Sequence, residues 1–245
     1  MVVAILVLAS FLAGALNAVA GGGTFLTFPA LMFAGIPAVA ANATSAVAVL
    51  PGYLASAYGF RRDIAAVEGL GLGLLLGVSL VGGLIGAGLL LVTPNDTFEA
   101  IVPVLLLIAT ALFAFGNRLA RLMRTGGGSR LGVLAGLLAV SVYGGYFNGG
   151  LGILLLAAFS LSGLTDLHAM NGLKNWMSAA ISLISVAAFA VAGKVAWAEA
   201  AIMMAAATAG GYAGTRVAKR IPPAWLRAGI VATGLVMAAL FALRG

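Results

Sequence analysis

Ten apolar runs of helical length follow one another along the chain, at about 2–20, 24–35, 38–59, 65–92, 97–117, 130–147, 150–163, 166–192, 197–215 and 224–243. A chain built this way belongs in lipid, where every backbone polar group must be satisfied internally, and only helices and closed barrels achieve that. Barrel strands would show as alternating segments of about ten residues, a pattern absent here. With 63% apolar and only 8% charged residues, the chain is predicted to be an all-α polytopic membrane protein.

The formal charge of +7 does not point to nucleic acid, because ten of the thirteen cations sit in three short loops between apolar runs. Such clusters report membrane orientation. There is no cysteine and a single histidine, His168, so no metal site or cofactor is expected and an acid–base or metal enzyme is disfavoured. Ala18–Ala20 resembles a signal-peptidase site, but no cation precedes the first run, which is therefore read as a retained helix.

A full crossing takes about 20 helical residues. The second and seventh runs are shorter and are predicted to be half-helices or broken helices. The two halves also align: Ala41–Val49 over Met170–Ser178 at a spacing of 129, and Gly82–Val102 over Gly210–Ile230 at 128. Ala13–Leu26 matches the stretch from Tyr143 once a two-residue gap is allowed, pairing Asn17 with Asn148. These blocks predict an internal duplication of five segments plus five, with a first repeat at 1–118, a basic linker at 119–130 and a second repeat at 131–245. If all ten runs cross, Arg61 and Arg62, the linker, and the stretch from Arg216 to Arg227 all lie in the cytoplasm, and Asp96 lies outside. The repeats are then inverted. If runs two and seven turn back instead, the last basic cluster falls on the wrong side, so the inverted arrangement is preferred.

Inverted repeats with paired short, glycine-interrupted segments characterise secondary transporters, whose sites lie at the breaks near the midplane. The first break holds Asn17, Gly21, Gly22, Gly23 and Thr24; the second holds Asn148, Gly149, Gly150 and Gly152. Glycines there leave backbone N–H groups free at helix starts, which suits an anion. The competing reading is that these glycines serve only close helix packing, as at Gly82 and Gly210. Asn42, Thr44, Ser45, Asn171 and Asn175 add uncharged polar groups, each of which could instead be interhelical glue. Lys174, matching Ser45 in the alignment, is the one cation inside an apolar run away from the loops. It is either a countercharge for an anionic substrate or a snorkelling side chain. The predicted partners are a small anion, a coupling ion (H⁺ or Na⁺) and the lipid bilayer.

The stretch AGGGTFLTFPALMFAGIPAVAANATS, with its glycine run, Pro-Ala-Leu and Gly-x-Pro turn, resembles the first signature of the TauE/SafE family of membrane transporters. The second copy, the basic linker and RIPPAWLR fit as well. The resemblance implies a multi-pass transporter of the bacterial inner membrane that exports sulfite, organosulfonates or related anions. Many members carry Gly-Thr-Ser where this chain has Asn42-Ala43-Thr44-Ser45, and its second copy has Asn171-Gly172-Leu173-Lys174. A transporter of an unrelated organic anion and an anion channel are the alternatives to that reading.

Overall fold

The computed structural model describes residues 1–19, 22–59, 69–122, 129–164 and 166–217, and near the end 231–232, 235–236 and 238–239. Nine helices make up nearly all of it: α1 Val2–Val19, α2 Thr24–Phe33, α3 Ala38–Gly59, α4 Leu72–Val92, α5 Asn95–Leu122, α6 Arg130–Tyr146, α7 Leu151–Leu161, α8 Leu167–Val191 and α9 Trp197–Val217. The chain is an all-α protein of membrane character. Among the described residues, three helices, in the spans Ala38–Ala55, Leu72–Val92 and Ala169–Val191, are long and apolar enough to cross a bilayer. The Arg61–Arg62 loop, most of the linker beyond Leu122 and most of the predicted tenth run lie outside the described residues.

α2 and α7 are short, with 10 and 11 residues, about 15–17 Å at 1.5 Å per residue. They end alike. Gly35 at φ +86° and Gly163 at φ +85° take the left-handed position after each helix. Ile36 N–H donates to Leu31 O and Leu164 N–H to Phe159 O, closing the same Schellman turn. Pro37 then starts α3, its carbonyl accepting from Ala41 N–H at 2.8 Å. α4 begins later than its apolar run, at Leu72, directly after Gly69 at φ +70° and the extended Gly71. α5 continues past its run to Leu122, carrying Arg118 and Arg121 on a helical extension.

Small residues set the helix packing. On α4, Ser79, Gly82, Gly83, Gly86 and Ala87 are buried, whereas Leu74, Val81, Leu84, Ile85, Leu89 and Val92 are exposed on the remaining surface, suited to lipid. A Cβ on Gly86 would collide with the Val142 carbonyl of α6, and one on Gly145 with the Gly83 carbonyl. Backbones that approach this closely associate through van der Waals contact, which replaces the hydrophobic drive missing in lipid. Gly210 of α9 meets the Phe11 carbonyl of α1 in the same way, so the packing role read for Gly82 and Gly210 is the one they take.

The helix contacts have a regular pattern. α1 packs on α9 and α6 on α4; α3 packs on α9 and α8 on α4. α2 packs on α1 and α3, α7 on α6 and α8, and α3 and α8 pack on each other. Exchanging each helix for the one five places along maps these pairings onto one another. Thr44, early in α3, accepts a hydrogen bond from Ala196 N–H, just past α8, whereas Val49, Tyr53 and Ala57 cluster with Ala179 and Trp176. α3 and α8 therefore run antiparallel through the middle of the bundle.

Candidate functional site

The two breaks meet. The Thr24 hydroxyl, at the first residue of α2, donates to the Asn148 carbonyl, which precedes α7, at 3.2 Å. Both short helices thus start at one place inside the bundle, so the positive ends of both peptide dipoles converge there. Beneath them lies an aromatic floor: Phe28 packs edge-on against Phe147 at 5.8 Å and Phe98 at 6.2 Å. This floor also explains Gly149, where a Cβ would lie 2.5 Å from the Phe147 ring. Gly150 caps α7 at φ +75°, a conformation that costs other residues about 1–2 kcal/mol.

The expected backbone donors are unevenly distributed. Gly23 N–H is already used, donating to Asn17 Oδ1 at 2.8 Å. At the second break, the segment after α6 turns so that Leu151, Ile153 and Leu154 donate to Asn148 or Gly150. Among the described residues, no acceptor takes the N–H groups of Gly149, Gly150 or Gly152. The free amides therefore gather at the start of α7.

Asn148 ties this centre together. Its Oδ1 accepts from the Tyr53 hydroxyl of α3 at 3.3 Å, and its Nδ2 donates to Ser182 Oγ of α8 at 3.0 Å. Both are buried. From Ser182, a polar stripe runs back along one face of α8 through Ser178, Asn175, Lys174 and Asn171, at the three- and four-residue steps that keep side chains on one side of a helix. Lys174 is only 5% exposed. No hydrogen bond or ion pair reaches its ammonium among the described residues, and Ser178 Oγ is also without a partner. A buried ammonium without a partner is costly.

In the first half the Thr27 and Ser45 hydroxyls are 2.6 Å apart, joining α2 to α3. Ser45 and Lys174 occupy matching positions in the alignment of the two halves. On α8, Lys174 lies eight residues before Ser182, about 12 Å along the helix axis from the contact with Asn148.

The remaining predicted site residues divide. Asn42 donates to Tyr146 O at 2.9 Å, at the end of α6. Asn175 is buried on the stripe, and Asn171 is half-buried and has partners. Thr44 stands apart, holding Ala196 at the α8–α9 turn. Gly22 is buried at the first break, and Gly21 lies outside the described residues. Tyr53 and Ser182 were not among the predicted residues, although they lie 129 apart, the spacing of the repeat.

Fold and site together define a multi-pass helical membrane protein whose paired half-helices meet at a buried polar centre. The family model "Sulfite exporter TauE/SafE" matches residues 6–241, and the chain belongs to that family of membrane transporters. It is similar to the "Probable membrane transporter protein YfcA" of Escherichia coli K12, 28% identical over 239 residues, which are 96% of this chain and 87% of that protein. It is also similar to a "Probable membrane transporter protein" of Haemophilus influenzae, 29% identical over 243 residues, covering 96% and 92% of the two chains. A third, "Probable membrane transporter protein ORF9" of Sinorhizobium sp, is 37% identical over 112 residues, covering 45% and 41%. No solved structure matches.

Proposed function

We propose that the protein carries a small oxygen-bearing anion, such as sulfite or an organosulfonate, out across the bacterial inner membrane, by alternating access between two inverted halves. The observation that carries this reading is the buried Lys174 on the polar face of α8, about two helical turns from Ser182, which bonds Asn148 beside the start of α7, where three glycine N–H groups have no acceptor. An anion entering there gains a formal countercharge, amide donors and the start of a helix dipole, all in a low-dielectric setting that strengthens each of them. The inverted arrangement is supported by the antiparallel course of α3 and α8 and by helix contacts that interchange on a five-helix shift. Sulfite and the outward direction are supported by the family's name.

The binding step is tested by thermal stabilisation of the purified protein with sulfite, methanesulfonate, taurine, sulfate and acetate. One or more of the sulfur oxyanions is expected to raise the melting temperature of the wild type and to leave Lys174→Ala unmoved. Equal responses from both proteins would remove Lys174 from the site.

A further inference from the structure

We propose that the carbonyl end of α6, together with the Asn42 side chain, is a binding site for a monovalent metal cation, with sodium as the ion to test. Asn42 is 2% exposed. Its Nδ2 donates to Tyr146 O at 2.9 Å, which fixes the amide's orientation and leaves Oδ1 as a buried acceptor with no donor. Because the two atoms of an amide head are only about 2.3 Å apart, Oδ1 stays close to Tyr146 O. The same helix end carries two more carbonyls that take no donor: among the described residues, no N–H or hydroxyl donates to Gly144 O or Gly145 O, both in buried residues. Oxygens with no donor, at the negative end of a helix dipole, attract a cation.

The ligand chemistry sets the charge. All the candidate ligands are neutral oxygens, and no buried carboxylate is present among the described residues. Divalent calcium and magnesium sites rely on carboxylates, whereas broken helices of transporters hold monovalent ions with carbonyls and amides. α6 ends and α7 begins within a few residues of each other. The cation site and the anion site are therefore the two ends of one break, and each ion screens the charge of the other. Binding of either should strengthen binding of the other by the same factor. The coupling role rests on the transport reading above, but the binding of the cation does not.

The test is equilibrium binding of radioactive sodium to the purified full-length protein without added anion, for wild type, Asn42→Ala and Asn42→Asp. Wild type is expected to bind sodium saturably. Asn42→Ala should weaken it about tenfold or more, the size of effect typical when a metal site loses a supporting group. Asn42→Asp, which adds a formal charge, should tighten sodium binding and create affinity for calcium. It decides the matter if the alanine variant does not fold. No saturable sodium binding in wild type, as expected if a water molecule serves Oδ1 instead, would overturn the proposal, as would binding indifferent to both substitutions. Anion flux without sodium binding removes the cation site alone; sodium binding without flux removes the transport reading alone.

Discussion

The strongest structural test is a double-mutant cycle on Tyr53 and Asn148. Tyr53→Phe removes the hydroxyl that donates to Asn148 Oδ1 at 3.3 Å, and Asn148→Ala removes the whole amide, including its bond to Ser182 at 3.0 Å. Interhelical hydrogen bonds inside membranes average about 0.6 kcal/mol, with a maximum near 1.7. Asn148→Ala also strands two buried hydroxyls, and each stranded group adds about 1–3 kcal/mol, tempered here because Tyr53 and Ser182 can turn to other acceptors. The expected loss for Asn148→Ala is therefore about 2–4 kcal/mol. Tyr53→Phe alone should cost less, on the order of 1 kcal/mol, and the double variant should cost less than the two singles added. The coupling energy is expected at about 0.6–1.7 kcal/mol, read from denaturant unfolding in bicelles. Additivity within about 0.3 kcal/mol, the behaviour of independent sites, would refute the claim that Asn148 joins α3, α8 and the second break.

Glycine positions supply paired controls. Gly86→Ala drives a Cβ into the Val142 carbonyl and should cost about 1–3 kcal/mol through helix separation; Gly88→Ala, which meets open space on the same helix, should instead stabilise by up to about 1 kcal/mol through helix propensity. Gly150→Ala, at φ +75°, should lower stability by about 1–2 kcal/mol and also weaken anion-induced stabilisation, because the start of α7 shifts. Thr44→Ala removes the acceptor for Ala196 N–H, so it should lower the melting temperature without altering the anion's apparent affinity.

Much of the fold was legible because its signals are local. Gly35 and Pro37 bracket the turn between α2 and α3, and α3 occupies the predicted 38–59. Glycine runs marked both breaks, and the shortness of the apolar runs marked both half-helices. The later start of α4 and the extension of α5 were not legible, since a Gly-Leu repeat and an amphipathic helix end both defeat a reading by hydropathy. At the site, Lys174 could be singled out because charge is rare in this chain. Its burial was not legible in the sequence, and substitution of Lys174 is what separates countercharge from snorkelling. The Asn148 centre depends on partners 95 and 34 residues away, which leave no local pattern; the repeat spacing that pairs Tyr53 with Ser182 was the one available trace. Sequence also could not tell that Gly23's amide is spent on Asn17 while those of Gly149, Gly150 and Gly152 stay free, because that difference arises from how each break turns.

The most direct measurement is anion flux in proteoliposomes reconstituted with wild type or Lys174→Met, with equal insertion verified for both. Wild type should carry sulfite or a small sulfonate with saturable kinetics, and Lys174→Met, which keeps the side chain's length but not its charge, should carry neither. Undiminished flux through Lys174→Met would contradict the account.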